Sequence, residues 1–433
     1  MLLNMRGKAG DQAGADPFAV RTMMSCGEKI AFSDPYVSDA QRAAAGRETV
    51  AERMRALLPE NRRRASAAYA AGGLPDGQEV LRVWYPRDAA GLRERLGDSR
   101  HVLWAEDDIL HVLWRGAAEQ VVVSGGVQVP MWPVEGTESP ETTGSPETGD
   151  RLWEASLRVR RLDEAVITVL VIGLGAPDLP FGRPVTDTMT WRGPRAPAGR
   201  AEAEWPLAGE LRPHTIDSAP LRGPREVTVY VPPGAAGPLP ACVLADGQSV
   251  PAFARVLEPA IAAGTAPPVV LVGVHNAGGH ADRSDLRAQE YQPRHRPRRF
   301  AAHLSFVTDE VIPWAVASLP VDPPGPSRRW LAGGFSNGAA WAIAAAQRRP
   351  EVFGGVAALS AGIVPRRVAA ASRDVRHYLA AGTLEEGFRR STLEWATRLR
   401  RAGVPCSHHE WAGGHDSFWW ERTLPDALAW LLS

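Results

Sequence analysis

The C-terminal half of the chain alternates short apolar runs with longer amphipathic stretches. Runs such as PPVVLVGVHN (267–276) are too short for helices and apolar throughout, which is typical of strands buried on both faces. Stretches such as LEEGFRRSTLEWATRLRRAG (384–403) carry apolar residues at helical spacing. Because strands that alternate with helices form parallel sheets covered on both faces, we expect a doubly wound α/β domain over residues 216–433.

Residues 76–173 follow a different pattern. Their segments are short, rich in valine, isoleucine and tryptophan, and separated by turn residues, and several alternate between apolar and polar positions. Such a pattern is typical of a small antiparallel β-sandwich, which we expect to precede the α/β domain. The segments are EVLRVWYP, DILHVLWRG, EQVVVSGG, LWEASLRVRR and AVITVLVIG.

Three further segments complete the predicted organisation. Residues 1–75 read as a polar, helical extension, whose first thirty residues show little periodicity and are expected to be disordered. Residues 174–215 are dense in proline and glycine, so we expect an interdomain linker there. The stretch 134–150 holds five acidic residues and no basic one, and it predicts a mobile loop.

Composition narrows the class of protein. The 433 residues include 49 basic and 49 acidic side chains, and this zero net charge argues against a nucleic-acid partner. The three cysteines have no metal-ligand spacing and predict no disulfide framework, so we expect a reducing, cytoplasmic environment. No apolar run approaches the ~20 residues of a membrane span. We expect no metal and no cofactor, and composition does not define an oligomeric state.

A glycine-flanked serine is the first candidate for chemistry. The strand-like run RRWLAGG leads into the G-x-S-x-G sequence of residues 334–338, and an alanine-rich helix follows. Strand, tight turn and helix in this order form the nucleophile elbow of an α/β-hydrolase. A serine used only for packing would need neither glycine. The sequence therefore predicts Ser336 as a nucleophile at the carboxyl edge of the sheet.

Two later positions are candidates to activate that serine. In this fold the triad runs serine, acid, histidine along the chain. His415 follows a glycine pair after the last predicted strand, and we expect it to be the base. The preceding strand, RHYLAAG, is followed by Glu385 and Glu386, either of which could orient His415, and we favour Glu385. Asp374 precedes that strand and would lie at the wrong end of the sheet.

An oxyanion hole needs two N–H donors. The residue after the nucleophile, Asn337, supplies the first at a helix N-terminus. The run LPACVLADGQS ends another strand, and Gly247 there permits a sharp turn. We expect the N–H of Gln248 to be the second donor. The alternative for this stretch is an ordinary β-turn.

Six motifs resemble those of the esterase-D-like α/β-hydrolases, and within them those of the enterochelin (enterobactin) esterases. The resemblance covers about 216–433 and extends more weakly to the N-terminal side, since those esterases also carry an N-terminal β-sandwich. It implies hydrolysis of ferric catecholate-siderophore trilactones. The motifs are VLADGQ, RAQEY, AGGFSNGAAWA, PEVFG, LAAGTLEE and GGHDSFWW.

The resemblance also implies roles for individual residues. The family's nucleophile, histidine and acid match Ser336, His415 and Glu385. Its oxyanion loop matches residues 246–248, and Trp420 matches a tryptophan that commonly follows the GGHD sequence. We therefore include Trp420 among the candidate substrate-binding residues.

A basic cluster follows the VVLVGVHN strand. The stretch QPRHRPRRF (292–300) includes Arg294, Arg296 and Arg298, and we expect it in a loop on the catalytic side of the sheet. Arginines there could hold a trianionic ferric catecholate or another acidic small molecule. The alternative is a solvated basic loop.

Three functions remain open from the residues alone. The leading one is a serine esterase for a siderophore-type or related macrolactone, with a small-molecule ester, such as an iron-bound siderophore, as its binding partner. The second is an esterase for another ester, such as an aryl ester, a feruloyl sugar or a depsipeptide. The third is a non-catalytic binding protein on a hydrolase scaffold, against which the complete set of Ser336, His415 and Glu385 counts.

Overall fold

The computed structural model divides into two compact units. It describes residues 19–32, 39–116, 118, 120–135, 151–174, 187–235, 237–277, 286–325 and 330–433. The first unit comprises the described residues up to Pro197 together with Ala412–Asp416. The second comprises Ala198–Trp411 and Ser417–Ser433. The chain therefore passes from one unit to the other inside the predicted linker, and the segment that carries His415 belongs to the first unit.

The first unit is built on an antiparallel sheet of eight strands in the order β10-β9-β6-β7-β8-β5-β4, with β3 paired to β8. The antiparallel prediction is confirmed, but the strands form one connected sheet in which β7 and β8 pair over only two residues. Its elements are β1 (Arg21–Ser25), β2 (Glu28–Phe32), α1 (Asp39–Ala44), α2 (Val50–Ala70), β3 (Val80–Val83), α3 (Ala89–Leu96), β4 (His101–Glu106), β5 (Ile109–Arg115), β6 (Gln120–Gly125), β7 (Val129–Pro133), β8 (Leu152–Val159), β9 (Val166–Leu174) and β10 (Asp187–Arg192).

One expectation about the N-terminal segment needs correction. Residues 21–30, expected to be disordered, belong to the β1–β2 hairpin. The helix expected within 1–75 is present as α2, which begins at a capping box in which Thr49 and Glu52 bond each other's backbone N–H. Of the predicted mobile loop 134–150, residues 136–150 lie outside the described residues.

The predicted linker 174–215 contains strand β10 and the first residues of strand β11. Strand β10 pairs with β9 from Asp187 to Arg192, and β11 begins at Glu210. Both are edge strands. Proline is tolerated on an edge, where one side of the strand needs no ladder bonds, and Pro213 lies within β11. The density of proline and glycine therefore located the boundary between the units but did not reveal these two edge strands.

The second unit is an α/β fold with an eight-stranded sheet in the order β11-β12-β14-β13-β15-β16-β17-β18. The β11–β12 and β12–β14 pairs are antiparallel, and the remaining pairs are parallel. Its elements are β11 (Glu210–Ser218), β12 (Gly223–Val231), β13 (Ala241–Ala245), α4 (Val250–Ala262), β14 (Val270–Val274), α5 (Leu286–Tyr291), α6 (Pro297–Ser305), α7 (Ile312–Ser318), β15 (Trp330–Phe335), α8 (Asn337–Arg348), β16 (Phe353–Leu359), β17 (Arg376–Gly382), α9 (Glu386–Arg401), β18 (Cys406–Trp411) and α10 (Ser417–Leu432).

The apolar runs of the C-terminal half form the strands that their pattern predicts. Every residue of β13 and β14 is buried, as expected of central strands covered on both faces. The fully buried Trp341 of α8 and Trp395 of α9 belong to the same core as the sheet. Strands and helices alternate through this unit as expected. Because its parallel strands share one direction, their carboxyl ends meet at one edge, and Ser336 and Glu385 follow β15 and β17 there.

A buried charged group lies at the centre of the first unit. The Arg82 guanidinium donates to the carbonyls of Pro130 and Glu154, at 3.0 Å each, and lies 4.1 Å from the centre of the Trp132 ring. The Glu28 carboxyl lies 3.5 Å from Arg82 Nε, and both side chains are 1% exposed. Neither Glu28 carboxyl oxygen has a hydrogen-bond partner among the described residues. Burial raises the pKa of Glu28, and repulsion from Glu154 raises it further. Together they outweigh the attraction of Arg82, which lowers it, and the pKa of Glu28 is about 8.

This raised pKa predicts a pH-dependent stability. The unfolded pKa of Glu28 is near 4.5, so the folded state binds the extra proton, and its stability falls as pH rises from the unfolded value towards about 8. Glu28→Gln stays neutral at every pH, so we expect it to be as stable as the parent at pH ~5 and more stable than the parent at pH ~8. Thermal unfolding at both pH values measures this. A variant that is less stable at the higher pH would instead show that an ionised Glu28 stabilises Arg82.

Candidate active site

The elbow residues adopt the conformation that the sequence predicts. Strand β15 ends at Phe335, α8 begins at Asn337, and Ser336 between them has φ 56° and ψ −123°. A Cβ on Gly334 would lie 2.6 Å from the carbonyl carbon of Gly338, so the close approach of the chain to itself requires glycine at 334. The Ser336 N–H donates to Leu359 O at 2.9 Å, which ties the turn to the end of β16.

Glu385 lies at the end of a chain of contacts that begins next to the serine. The Phe335 ring stacks on Trp420 at 4.4 Å between centroids, and the Trp420 Nε1–H donates to Ser360 Oγ at 2.8 Å. The Ser360 hydroxyl then donates to Glu385 Oε1 at 2.6 Å. That oxygen also accepts the N–H of Gly382 at 2.6 Å. These two bonds stabilise a carboxylate in a site where the side chain is only 4% exposed.

The neighbouring Glu386 is placed differently. It is the first residue of α9, and its side chain is 83% exposed. Sequence reasoning considered both glutamates and did not find Ser360, whose hydroxyl orients Glu385. The tryptophan of the GGHDSFWW motif, Trp420, is buried against the elbow, and its role in substrate binding stays a prediction.

His415 lies between β18 and α10, in the segment 412–416, and its side chain is buried. Within the first unit this segment is held to strand β9. The Val166 N–H donates to Ala412 O at 3.2 Å, and the Thr168 N–H to Asp416 Oδ2 at 3.4 Å. A Cβ on Gly414 would lie 1.4 Å from the carbonyl oxygen of Gly126, so only glycine fits directly before the histidine.

The predicted oxyanion loop follows β13. Asp246 has a left-handed backbone with φ 62°, and the Ser249 N–H closes the turn by donating to Asp246 O at 2.9 Å. A Cβ on Gly247 would lie 2.1 Å from Gly273 O, so the loop presses directly on β14. Gln248 is exposed. The loop is therefore a tight turn packed against β14, while the roles of Gln248 and Asn337 as oxyanion donors stay predictions.

The basic cluster is only partly a loop, which corrects the expectation for 292–300. Helix α6 begins at Pro297, and Arg294, Arg296 and Arg298 are exposed. The stretch starts beside the elbow, because the Gln292 side-chain amide donates to Asn337 Oδ1 at 2.8 Å.

No group of three or more histidine, cysteine or acidic side chains that could hold a metal occurs among the described residues. Within the same ranges, no helix is both long and apolar enough to cross a membrane.

The comparisons with known proteins bear on the second unit first. Residues 218–431 match the family model described as putative esterase. This half of the chain is an esterase-family domain. The expectation of a carboxylic-ester hydrolase is thereby confirmed at the level of the family. No curated protein sequence matches the chain at a significant level.

Solved structures extend the likeness to the first unit. The enterobactin esterase of Shigella flexneri, crystallised in the presence of enterobactin, is 17% identical with a TM-score of 0.55, and the match covers 79% of this chain and 99% of that one. The ferric enterobactin esterase of Salmonella typhimurium is 17% identical with a TM-score of 0.54, and the match covers 79% and 98%. The esterase-family fold of this chain is thus similar to that of enterochelin esterases, as the motifs predict.

Because Glu385 is buried and Glu386 is exposed, substituting each of them by glutamine gives a matched pair of variants. Glu385→Gln removes a buried carboxylate, and we expect kcat to fall by roughly 10²- to 10⁴-fold if that group orients the base. Glu386→Gln removes the same charge from an exposed position and should leave kcat within about twofold. Steady-state hydrolysis of a p-nitrophenyl ester measures both. A larger loss from Glu386→Gln would show that Glu386 is the acid.

Proposed function

We propose that the protein is a serine esterase in which Ser336, His415 and Glu385 form the catalytic triad. The observation that carries the proposal is the strained turn at Ser336 between β15 and α8, inside a domain of an esterase family. The second support is the buried Glu385 carboxylate, which follows β17 and is oriented by Ser360. Serine, acid and histidine occur in the chain order of the α/β-hydrolases, after β15, β17 and β18.

The sheet supports the same assignment. We propose the α/β-hydrolase layout for the second unit, because five successive strand pairs from β14 to β18 are parallel and the nucleophile follows a central strand. Side chains that follow parallel strands collect at one edge. This layout explains how positions far apart in sequence contribute to one site.

The mechanism follows from the roles of these residues. His415 takes the proton of Ser336, whose Oγ attacks the ester carbonyl carbon. The N–H groups of Gln248 and Asn337 stabilise the oxyanion of the tetrahedral intermediate. His415 then protonates the departing alcohol, and an acyl-enzyme remains on Ser336. Water, deprotonated by His415, hydrolyses this acyl-enzyme, while Glu385 stabilises the imidazolium in both halves of the reaction.

We propose a siderophore-type catecholate trilactone, or a related macrolactone, as the substrate class. The support is the fold shared with proteins named as enterobactin esterases, over about four fifths of this chain. The exposed arginines that follow Gln292 provide positive charge near the elbow for an anionic ferric complex.

The role of the nucleophile is tested by Ser336→Ala. We expect the rate of ester hydrolysis to fall by roughly 10⁴-fold or more, because only binding and oxyanion stabilisation remain. Ser391→Ala is the control, since Ser391 donates to the Gly362 carbonyl from helix α9 and should leave the rate unchanged. A fluorophosphonate probe should label the parent at Ser336. Near-normal turnover by a folded Ser336→Ala variant, or a parent that does not label, would contradict the proposal and favour a non-catalytic binding protein.

The substrate class is tested by replacing Arg294, Arg296 and Arg298 with glutamine. Exposed charge-assisted contacts are individually weak, so we expect KM for a ferric catecholate trilactone to rise about tenfold and the effect to shrink with added salt. KM for a small neutral ester should not change. The matched control removes three exposed arginines of α9, Arg390, Arg400 and Arg401. If the first variant has the same KM as the parent for the ferric catecholate trilactone as well as for the neutral ester, the basic cluster is only a solvated surface.

A further inference from the structure

Three side chains within residues 287–292 of the second unit contact two separate loops. Helix α5 contributes Arg287, whose Nε and Nη2 donate to the Asp246 carboxylate at 2.6 and 2.5 Å. The residue that follows the helix, Gln292, donates to Asn337 Oδ1 at 2.8 Å. The first contact reaches the loop after β13 and the second reaches the elbow after β15. One short stretch, 287–292, therefore fastens both loops that supply the proposed oxyanion donors.

The conformation of Asp246 requires such a fastening. Its φ of 62° and ψ of 55° are left-handed, a backbone conformation that is strained for a residue with a side chain. A glycine would adopt this conformation without cost, but it would lack the carboxylate. The carboxylate, only 2% exposed, accepts bonds from Arg287 and from Asn276 Nδ2 at 2.8 Å. The Asp246 N–H donates to the Tyr291 hydroxyl at 2.9 Å, so α5 holds both the side chain and the backbone of this residue.

The same helix also holds the segment that presents Asn276. Glu290, which is fully buried, forms a two-bond ion pair with Arg225 at 2.8 and 2.9 Å and accepts the Ala277 N–H at 3.2 Å. Arg225 also donates to His275 O at 3.0 Å. Burial opposes ionisation of Glu290, but the hydrogen bonds from Arg225 and the surrounding positive charges outweigh it and hold its pKa below the usual range. The residues on either side of Asn276 are thus fixed from α5.

We propose that Arg287, Tyr291 and Gln292 are positioning residues that set the separation of the two oxyanion donors, the N–H groups of Gln248 and Asn337. This inference rests on the proposed function, because those donors matter only if Ser336 attacks an ester carbonyl. Donors stabilise an oxyanion when they lie about 2.7–3.1 Å from it. A small displacement of either loop therefore reduces the stabilisation of the transition state more than it reduces the affinity for the substrate.

The experiment compares Arg287→Gln, Arg287→Lys and the parent. We expect Arg287→Gln to lower kcat about 10²-fold with KM within about threefold, as for the loss of one oxyanion donor. Lysine keeps the charge but cannot form the two-bond contact, so it should restore only part of kcat. The rate of fluorophosphonate labelling at Ser336 should fall in parallel. Arg349→Gln is the matched control, because Arg349 pairs with Asp309 and Glu351 at the far end of α8 and should leave kcat unchanged.

If Arg287→Gln does not fold, two milder variants test the same positioning role. Tyr291→Phe removes the hydroxyl that accepts the Asp246 N–H, and Gln292→Met removes the amide that holds Asn337. Each should lower kcat roughly three- to tenfold without raising KM, the cost of one hydrogen bond. Unchanged kcat and labelling rates in all folded variants would overturn the inference. A parent that neither labels nor hydrolyses esters would instead overturn the proposed function.

Discussion

Three left-handed residues at the ends of adjacent parallel strands form the basis of the candidate site. Asp246, Ser336 and Ser360 follow β13, β15 and β16, with φ values of 62°, 56° and 56°. A single residue with positive φ turns the chain sharply at the edge of the sheet, but this backbone conformation costs a residue with a side chain on the order of 1–3 kcal/mol. The stability of the site therefore depends on contacts that hold each of these residues in place.

Each strained residue is held by bonds from a different part of the second unit. The Asp246 carboxylate is bonded from α5 and from the segment after β14. Ser336 N–H is bonded to the end of β16, and Ser360 N–H donates to Ala380 O of β17 at 2.7 Å. The hydroxyl of Ser360 then joins Trp420 to Glu385. The strain is thus balanced by tertiary hydrogen bonds rather than by local sequence.

The glycines of the site serve close packing more than free rotation. Gly247 presses on the backbone of β14, and Gly334 presses on Gly338 across the elbow. In the first unit, Gly414 approaches the Gly126 carbonyl so closely that no side chain fits at that position. The glycine pair before His415 therefore marks a backbone contact with the sheet of the first unit, where Gly413 also bridges to Val166. A change at these positions would displace the backbone that carries a candidate catalytic residue.

The sequence by itself determined the parallel strands of the second unit, the elbow at Ser336 and the esterase resemblance, because apolar periodicity and turn chemistry depend on near neighbours. It missed the local hairpin at residues 21–32, and it missed strands β10 and β11 within the predicted linker, which pair along the edges of the two sheets. Only the tertiary structure decided that Arg287 meets Asp246, 41 residues away, and that Ser360 orients Glu385. Those pairs depend on the order of the strands, which brings distant chain segments to one edge of the sheet and leaves no local pattern in the sequence.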